Sequence, residues 1–153
     1  MRARGSKENN ISLPTQVSVD GNKLEVVDEF VYLGSLVTAD NNTSKEIHRR
    51  IQAGNRAHFS LRKTLRSNRV RQRTKLTLYK TLIRPVVLYG IGTTTLIAED
   101  LNALGVFERK VLRTIYGGVQ TDDGEWRRLM NHELHALLGE NPIAHLAKVN
   151  RLR

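Results

Sequence analysis

Cysteine is absent from the 153-residue sequence, which excludes disulfides, catalytic thiols and thiolate metal ligands. No apolar run approaches the roughly 20 residues that a membrane-spanning helix needs. The basic residues 1–5 are not followed by the apolar core of a secretory signal peptide. We therefore expect one domain in an intracellular setting, nuclear or cytoplasmic, without a membrane partner.

Acidic residues are nearly missing from residues 44–89, where Glu46 is the one carboxylate among thirteen lysines and arginines. This stretch carries +12 while the chain carries +10, so the positive excess is local. The cations on these helices repel one another, and almost no acidic residue on the same helices balances that repulsion. The stretch therefore predicts a polyanionic partner, with nucleic acid as the first candidate. A solvated surface without a partner is the alternative.

Hydrophobic periodicity predicts a first helix over residues 44–66, started by a capping box of Thr43 and Glu46. Gly54 lies on its apolar stripe and weakens the helix unless a neighbouring helix must approach closely there. The stripe comprises Ile47, Ile51, Gly54, His58, Leu61 and Leu65. The nearly opposite side carries Lys45, Arg49, Arg56 and Lys63.

A second helix is predicted from about residue 71, with a kink at Pro85 and continuation to Gly90. Its apolar stripe comprises Leu76, Tyr79, Ile83 and Val86. If the two helices pack through their stripes, their cations line a common groove for phosphates. The predicted backbone-binding residues are Lys45, Arg49, Arg56, Lys63, Arg73, Lys80 and Arg84. The connection 66–75 is the next candidate for that role.

The chain as a whole predicts a mainly α fold. A small N-terminal β-hairpin or meander packs on a bundle of about three longer helices, followed by short C-terminal helices. Residues 1–14 are polar and expected to be disordered. The turn signal Asp20-Gly21 predicts a hairpin within residues 15–37, with a third strand over 30–37 broken by a glycine. Residues 43–118 form the predicted basic bundle.

The C-terminal part is predicted from helix stop and start signals. A third helix spans residues 98–116 and stops at Gly117. Residues 125–130 suggest a short helical turn, and Asn131 and Gly139 fit the two ends of a short helix. Pro142 fits the first position of a last helix. No stop signal follows, so we expect segment 119–153 to be truncated.

No catalytic constellation emerges from the residue pattern. Asp122 and Asp123 lie in a predicted turn, whereas a two-metal site needs carboxylates on rigid strands. The five histidines include no HExxH arrangement, and the pair His132 and His135 fits a surface better than a metal site. We expect no enzyme activity from this chain on its own and no cofactor.

Five segments in this order resemble the reverse transcriptase of non-LTR (LINE-type) retrotransposons. They read FVYLGS from Phe30, KEIHRRI from Lys45, LYKTLIRPVVLYG from Leu78, EDL from Glu99 and FERKVLR from Phe107. The resemblance covers residue 15 to the end of the chain. Where the family usually reads YGSETW, this chain reads YGIGTT from Tyr89, which puts the local packing in question.

The resemblance implies a position after the polymerase palm, whose paired aspartates have no match in this sequence. Tyr32, Leu33 and Gly34 resemble the primer-grip turn, and the basic helices resemble the thumb that follows the template–primer backbone. RNA, DNA or an RNA–DNA hybrid is then the implied partner, together with the missing palm and fingers. Magnesium and RNA-directed DNA polymerase activity belong to the intact parent.

Two other classes of protein fit the same residues. One is a stand-alone or domesticated module whose exposed faces bind protein. The other is a retrotransposon relic without function. Salt-dependent binding of nucleic acid separates the first hypothesis from both, and a cooperative melting transition separates a folded module from a relic.

Overall fold

The computed structural model describes residues 15–151. The predicted disorder of residues 1–14 lies outside this range. The strands are β1 (Gln16–Val19), β2 (Asn22–Glu25), β3 (Glu29–Tyr32), β4 (Ser35–Thr38), β5 (Gly118–Gln120) and β6 (Trp126–Arg128). The helices are α1 (Thr43–Arg66), α2 (Gln72–Leu78), α3 (Arg84–Leu88), α4 (Ala98–Tyr116), α5 (Asn131–Leu138) and α6 (Ile143–Arg151). The predicted mainly α fold with an N-terminal hairpin is confirmed.

The N-terminal strands form two separate hairpins, which corrects the predicted meander. β1 pairs with β2 through the predicted Asp20-Gly21 turn, and β3 pairs with β4. The single strand expected over residues 30–37 is instead reversed at Leu33 and Gly34, whose φ angles are 46° and 82°. A two-residue turn with positive φ at both positions joins antiparallel strands. Leucine rarely adopts that conformation, so the alternation of residues predicted a continuous strand, whereas the resemblance to the primer-grip turn placed a turn at Tyr32, Leu33 and Gly34.

Of the two N-terminal hairpins, the second packs on the helices, and it does so through β4. Every residue of β1 and β2 is exposed, whereas Thr38 of β4 is buried beside the start of α1. The expectation that all N-terminal strands cover the bundle is therefore wrong for β1 and β2. Side chains of these strands, such as Val17 and Leu24, remain exposed to solvent because they make little contact with the bundle.

The start of α1 differs from the predicted capping box. Asn42 is the N-cap, and its side chain accepts a hydrogen bond from the Ser44 amide at 3.2 Å. Glu46 does not reach back to a cap, because its carboxylate accepts the Leu36 amide of β4 at 2.8 Å. That bond fixes the second hairpin to the first turns of α1.

The middle of α1 approaches α3 and α4 closely at Gly54, as its place on the apolar stripe allowed. A Cβ atom there would overlap Cγ2 of Val87 and lie 2.8 Å from Cζ of Phe107. Both of these side chains are buried, and so are Ile47 and Leu65 on the same stripe. The absence of a side chain at Gly54 therefore lets two helices pack against α1 at one level.

The predicted kink before Pro85 takes the form of a π-helical turn. α2 ends at Leu78, residues Tyr79–Ile83 form the π turn, and the Arg84 amide bonds to the Tyr79 carbonyl. Proline lacks an amide proton and its ring crowds the preceding turn, so widening that turn keeps the chain helical. α3 then ends at Leu88, two residues before the predicted end at Gly90.

The segment from Tyr89, which reads YGIGTT in place of YGSETW, is well packed. Ile91 is buried, and a Cβ atom at Gly92 would lie 2.9 Å from the Asn150 carbonyl oxygen of α6. Gly90 has a φ of 70°, which favours glycine. The two glycines thus allow the chain to turn after α3 and let α6 lie against it.

The C-terminal part contains a hairpin where a short helical turn was expected. β6 pairs with β5, with Gln120 opposite Trp126 and Gly118 opposite Arg128. Gly117 ends α4 as predicted, but the chain continues directly into β5. Met130, not Asn131, is the N-cap of α5, because the Glu133 carboxylate accepts the Met130 amide at 2.6 Å.

The last two helices complete the core. Leu134 and Leu138 of α5 and Ile143 and Ala147 of α6 are buried against α4 and its neighbours. Gly139 ends α5 in a left-handed conformation, as predicted. Helix α6 begins at Ile143, one residue after the predicted start.

The glycines of α1 and α4 should respond oppositely to alanine. Gly54→Ala should lower the free energy of unfolding by about 1–3 kcal/mol, because the added methyl group overpacks the contact with Val87 and Phe107. Gly105→Ala should raise it by up to about 1 kcal/mol. At Gly105 the nearest atom to a Cβ is Nη1 of Arg109, the end of a flexible side chain. Urea unfolding followed by circular dichroism measures both changes. Equal effects of the two substitutions would contradict the close approach at Gly54.

Candidate nucleic-acid interface

Four of the seven predicted backbone-binding residues are engaged within the protein. Lys45 pairs with Glu29 at 3.0 Å and with Asp40 at 3.5 Å. The other three donate to carboxylates or to a backbone carbonyl. These bonds join Arg49 to Glu46 and to the Gly34 carbonyl, and join Lys80 and Arg84 to Glu140. Their positive charge is therefore partly balanced before any ligand arrives.

The other three predicted residues, Arg56, Lys63 and Arg73, are exposed. Within residues 15–151 they have no ion pair. None of the seven lines the large basic cleft described below. The part that these seven residues play in phosphate binding stays a prediction.

The primer-grip-like residues form the turn between β3 and β4. Tyr32 and Leu33 are 62% and 75% exposed, so their side chains project into solvent. The backbone of the turn is held from below: the Tyr89 hydroxyl donates to the Leu33 carbonyl at 2.9 Å, and Arg50 donates to the Gly34 carbonyl. The turn is thus anchored while its apolar side chains remain uncovered.

Glu46 and Arg50 organise that anchor. The carboxylate of Glu46 is 5% exposed and accepts Nε of Arg50 at 2.5 Å. The Arg50 guanidinium also lies 4.6 Å from the centre of the Tyr89 ring, a cation–π contact. Because α1, the second hairpin and the end of α3 meet here, the position of the turn is set by the helical bundle.

A larger basic feature lies at the other end of α1. A cleft of about 1010 Å³ opens between the second half of α1, the second half of α4 and the β5–β6 hairpin. Its lining contains no carboxylate. The cations that line it are Arg62, Arg66, Lys75, Lys110, Arg113 and Arg128.

The partners of these cations leave their charge unbalanced. Lys110 donates to Oδ1 of Asn55 at 3.1 Å, and Arg113 donates to Oδ1 of Asn131 at 2.9 Å. Both acceptors are neutral amides. Nε of Arg113 is buried, and the described part of the chain provides no acceptor for it. Lys75 is only 6% exposed and has no carboxylate within 4.0 Å in the same range.

The pKa of His58 is lowered in part by the positive charge of the cleft. Its ring is 6% exposed, and Nε2 lies 3.2 Å from the Thr114 hydroxyl. Burial lowers the pKa of His58 below its usual value, and the cations Lys110, Arg62 and Arg66 lower it further. The imidazole therefore favours its neutral form at pH 7, and it adds no charge to the lining.

The β5–β6 hairpin supplies one wall of the cleft. Gly117 ends α4 with a φ of 75°, and the chain turns there into β5. Arg128 of β6 faces the cleft opposite Gly118, whereas the neighbouring Arg127 pairs with Glu133 at 2.6 Å. Alternation along the strand thus sends one arginine to the cleft and the next to α5.

The second-choice connection 66–75 contains two of these six cations, Arg66 and Lys75, but the cluster as a whole was not predicted, for two reasons. Arg62 and Arg66 lie next to the apolar stripe of α1, on a different side from the seven-residue repeat that was chosen. Lys110, Arg113 and Arg128 lie outside the basic stretch 44–89 and come near it only through helix packing. Arg62 and Arg66 follow His58 at steps of four residues, and this spacing could have indicated a second basic side of α1.

Neither a metal site nor a membrane span is found in the described residues. Residues 15–151 contain no group of three or more His, Asp or Glu side chains placed to hold a metal ion. No helix in that range is long and apolar enough to cross a bilayer.

Comparison with known proteins identifies one distant relative. Over 68 residues the chain is 34% identical to a putative uncharacterized transposon-derived protein of Caenorhabditis elegans. The match covers 44% of this chain and 24% of the relative, so the matched segment spans about a quarter of that protein's length. No protein-family model and no solved structure matches the chain.

The titration of His58 should measure the cleft potential. Because its folded-state pKa lies below 6.5, the unfolded chain binds the proton more readily, and stability should fall as the pH drops below about 6.5.

Lys110→Gln should raise the pKa of His58, since it removes a neighbouring cation, while burial keeps that pKa below 6.5. NMR titration of the imidazole resonances measures it, with Arg73→Gln as the control. An unchanged midpoint in Lys110→Gln would contradict the proposed coupling.

Proposed function

We propose that this chain binds nucleic acid through the cleft between α1, α4 and the β5–β6 hairpin. The observation that carries the proposal is the set of six lysines and arginines around one cavity with no carboxylate among its lining residues. Cations grouped in this way attract a phosphate backbone at long range and release its counterions on contact. The ligand is therefore a polyanion with regularly spaced phosphates.

The cleft is suited to backbone contacts more than to base reading. Arginine and lysine donate to phosphate oxygens without discriminating sequence. Arg62, Arg66 and Arg128 have no partner in the described range and keep their donors available. Lys110 and Arg113 are held by amide oxygens, which orients them without cancelling their charge. We expect sequence-tolerant binding that weakens steeply with salt.

We further propose that the chain derives from a non-LTR retrotransposon reverse transcriptase. The likeness to a transposon-derived protein over 68 residues supports a transposable-element origin. The motif order from Tyr32-Leu33-Gly34 to the α4 segment supports the narrower assignment. On this proposal, α1 to α4 serve as the thumb and the β3–β4 turn serves as the primer grip.

The proposal gives this chain binding without chemistry. Polymerisation would require the palm aspartates and magnesium of an intact parent, and this sequence has no match to that palm motif. The partners are RNA, DNA or their hybrid, in the nucleus or cytoplasm, and in the parent the palm and fingers. No cofactor is proposed for the chain itself.

A protein-binding module is the second candidate, and the second hairpin favours it. Phe30, Val31, Tyr32, Leu33 and Val37 are all between 49% and 75% exposed. An apolar surface of this kind on a hairpin is typical of an interface. In the intact parent the palm would cover it, whereas in a domesticated protein another chain would do so.

The cleft is tested by neutralising its unpaired cations. The triple variant Arg62→Gln, Arg66→Gln and Arg128→Gln should lower the slope of log affinity against log salt by about 2.7 on duplex DNA and about 2.1 on a single strand. Glutamine maintains helix formation in α1. Fluorescence anisotropy at several salt concentrations measures the slope, with folding checked by circular dichroism.

The matched control is Arg56→Gln, Lys63→Gln and Arg73→Gln. It removes the same charge from exposed residues that do not line the cleft. Its slope should stay close to that of the unmodified protein. If the slope falls only in the control variant, nucleic acid binds the helix face predicted from the sequence and not the cleft. Equal slopes in all three proteins, or no salt-dependent binding at all, would contradict the proposal.

A further inference from the structure

Phe59 stands exposed among the cations of the cleft. It lies on α1, lines the cavity and is 72% exposed, although phenylalanine is usually buried. Its neighbours on the same helix face are Asn55, Arg62 and Arg66, which also line the cavity. An exposed ring beside unpaired cations offers a ligand both an apolar face and positive charge.

Trp126 is a second exposed ring, and it lies beside Gly118 of the cleft lining. It is 73% exposed and lies two residues before Arg128 in β6, so the two side chains leave the hairpin on the same face. A Cβ atom at Gly118 would lie 3.4 Å from Cε3 of the Trp126 ring. The indole therefore covers Gly118, which lines the cleft, and most of the ring remains accessible.

These two rings and six cations match the two chemical parts of a single-stranded nucleic acid. Its phosphates attract cations, and its unpaired bases present flat apolar faces that stack on aromatic rings. A duplex satisfies only the first requirement, since its bases are already stacked on one another. The polar side chains of Asn55 and Asn68 in the lining suit the edges of nucleotides.

We propose that the cleft takes a single-stranded stretch of nucleic acid, with bases stacked on Phe59 and Trp126 and phosphates held by the surrounding cations. This inference rests on the proposed function and narrows its ligand from any phosphate backbone to a strand with unpaired bases. RNA and DNA single strands share the recognised chemistry.

The test compares three ligands: a twelve-nucleotide thymidine strand, an abasic strand of the same length, and a duplex of the same length. The thymidine strand should bind more tightly than the abasic strand, which has the phosphates without the bases. Trp126 is the sole tryptophan of the chain, so its fluorescence reports on this site alone. Thymidine should quench that fluorescence more than the abasic strand does at equal saturation.

Substitution of each ring should weaken base-dependent binding only. Phe59→Leu and Trp126→Leu should each lower the affinity for the thymidine strand by about fivefold or more. The affinity for the abasic strand and the duplex should change by less than about twofold, and the salt slope should be maintained. Phe59→Tyr and Trp126→Phe retain an aromatic face and should maintain most of the affinity.

Phe30→Leu is the matched control, because Phe30 is an exposed phenylalanine of β3 outside the cleft. It should leave every affinity unchanged. Equal binding of thymidine and abasic strands, with unchanged affinity in both leucine variants, would overturn the stacking proposal while leaving cleft-dependent phosphate binding intact. Absence of salt-dependent binding to any ligand would instead overturn the proposed function.

Discussion

A buried carboxyl group at Glu108 connects the elements on which the architecture depends. It is fully buried in α4, accepts the Tyr79 hydroxyl of the π turn at 2.7 Å, and accepts the Ile143 amide at the start of α6 at 3.0 Å. Burying such a group without partners is costly, so the three elements are constrained to meet. Burial, with Glu108 nearby, raises the pKa of Tyr79 far above its usual value, which keeps the hydroxyl a donor.

That connection also sets the geometry of the basic cleft. Lys75 lies one turn before Tyr79, and Lys110 lies two residues after Glu108. Fixing the π turn against α4 therefore brings cations from two distant segments to one cavity, whose lining contains no carboxylate. A protein that needed only stability would gain from a carboxylate there, and local departures of this kind are expected at functional sites.

The sequence was sufficient for features with local causes. The apolar stripes located α1 and α4, and Gly117 and Gly139 marked helix ends, because periodicity and capping act within a few residues. The Leu33-Gly34 turn was expected from the resemblance but not from the residue pattern. The β5–β6 hairpin was missed, and the π turn was predicted only as a kink, since strand pairing and packing determine both. Only Arg66 and Lys75 of the cleft fell in a predicted segment, 66–75, because the cleft depends on which halves of α1 and α4 face each other, and a helical repeat defines only the buried side.

The central claim, that nucleic acid occupies this cleft, is tested most directly by mapping the bound surface at single-residue resolution. Amide resonances of the labelled protein are followed by NMR while a short single-stranded oligonucleotide is added at low salt. The account predicts that the largest shifts fall in residues 55–68, 110–118 and 128, which surround the cleft. Shifts concentrated in the two N-terminal hairpins, or spread evenly over exposed cations outside these ranges such as Arg73, would contradict it.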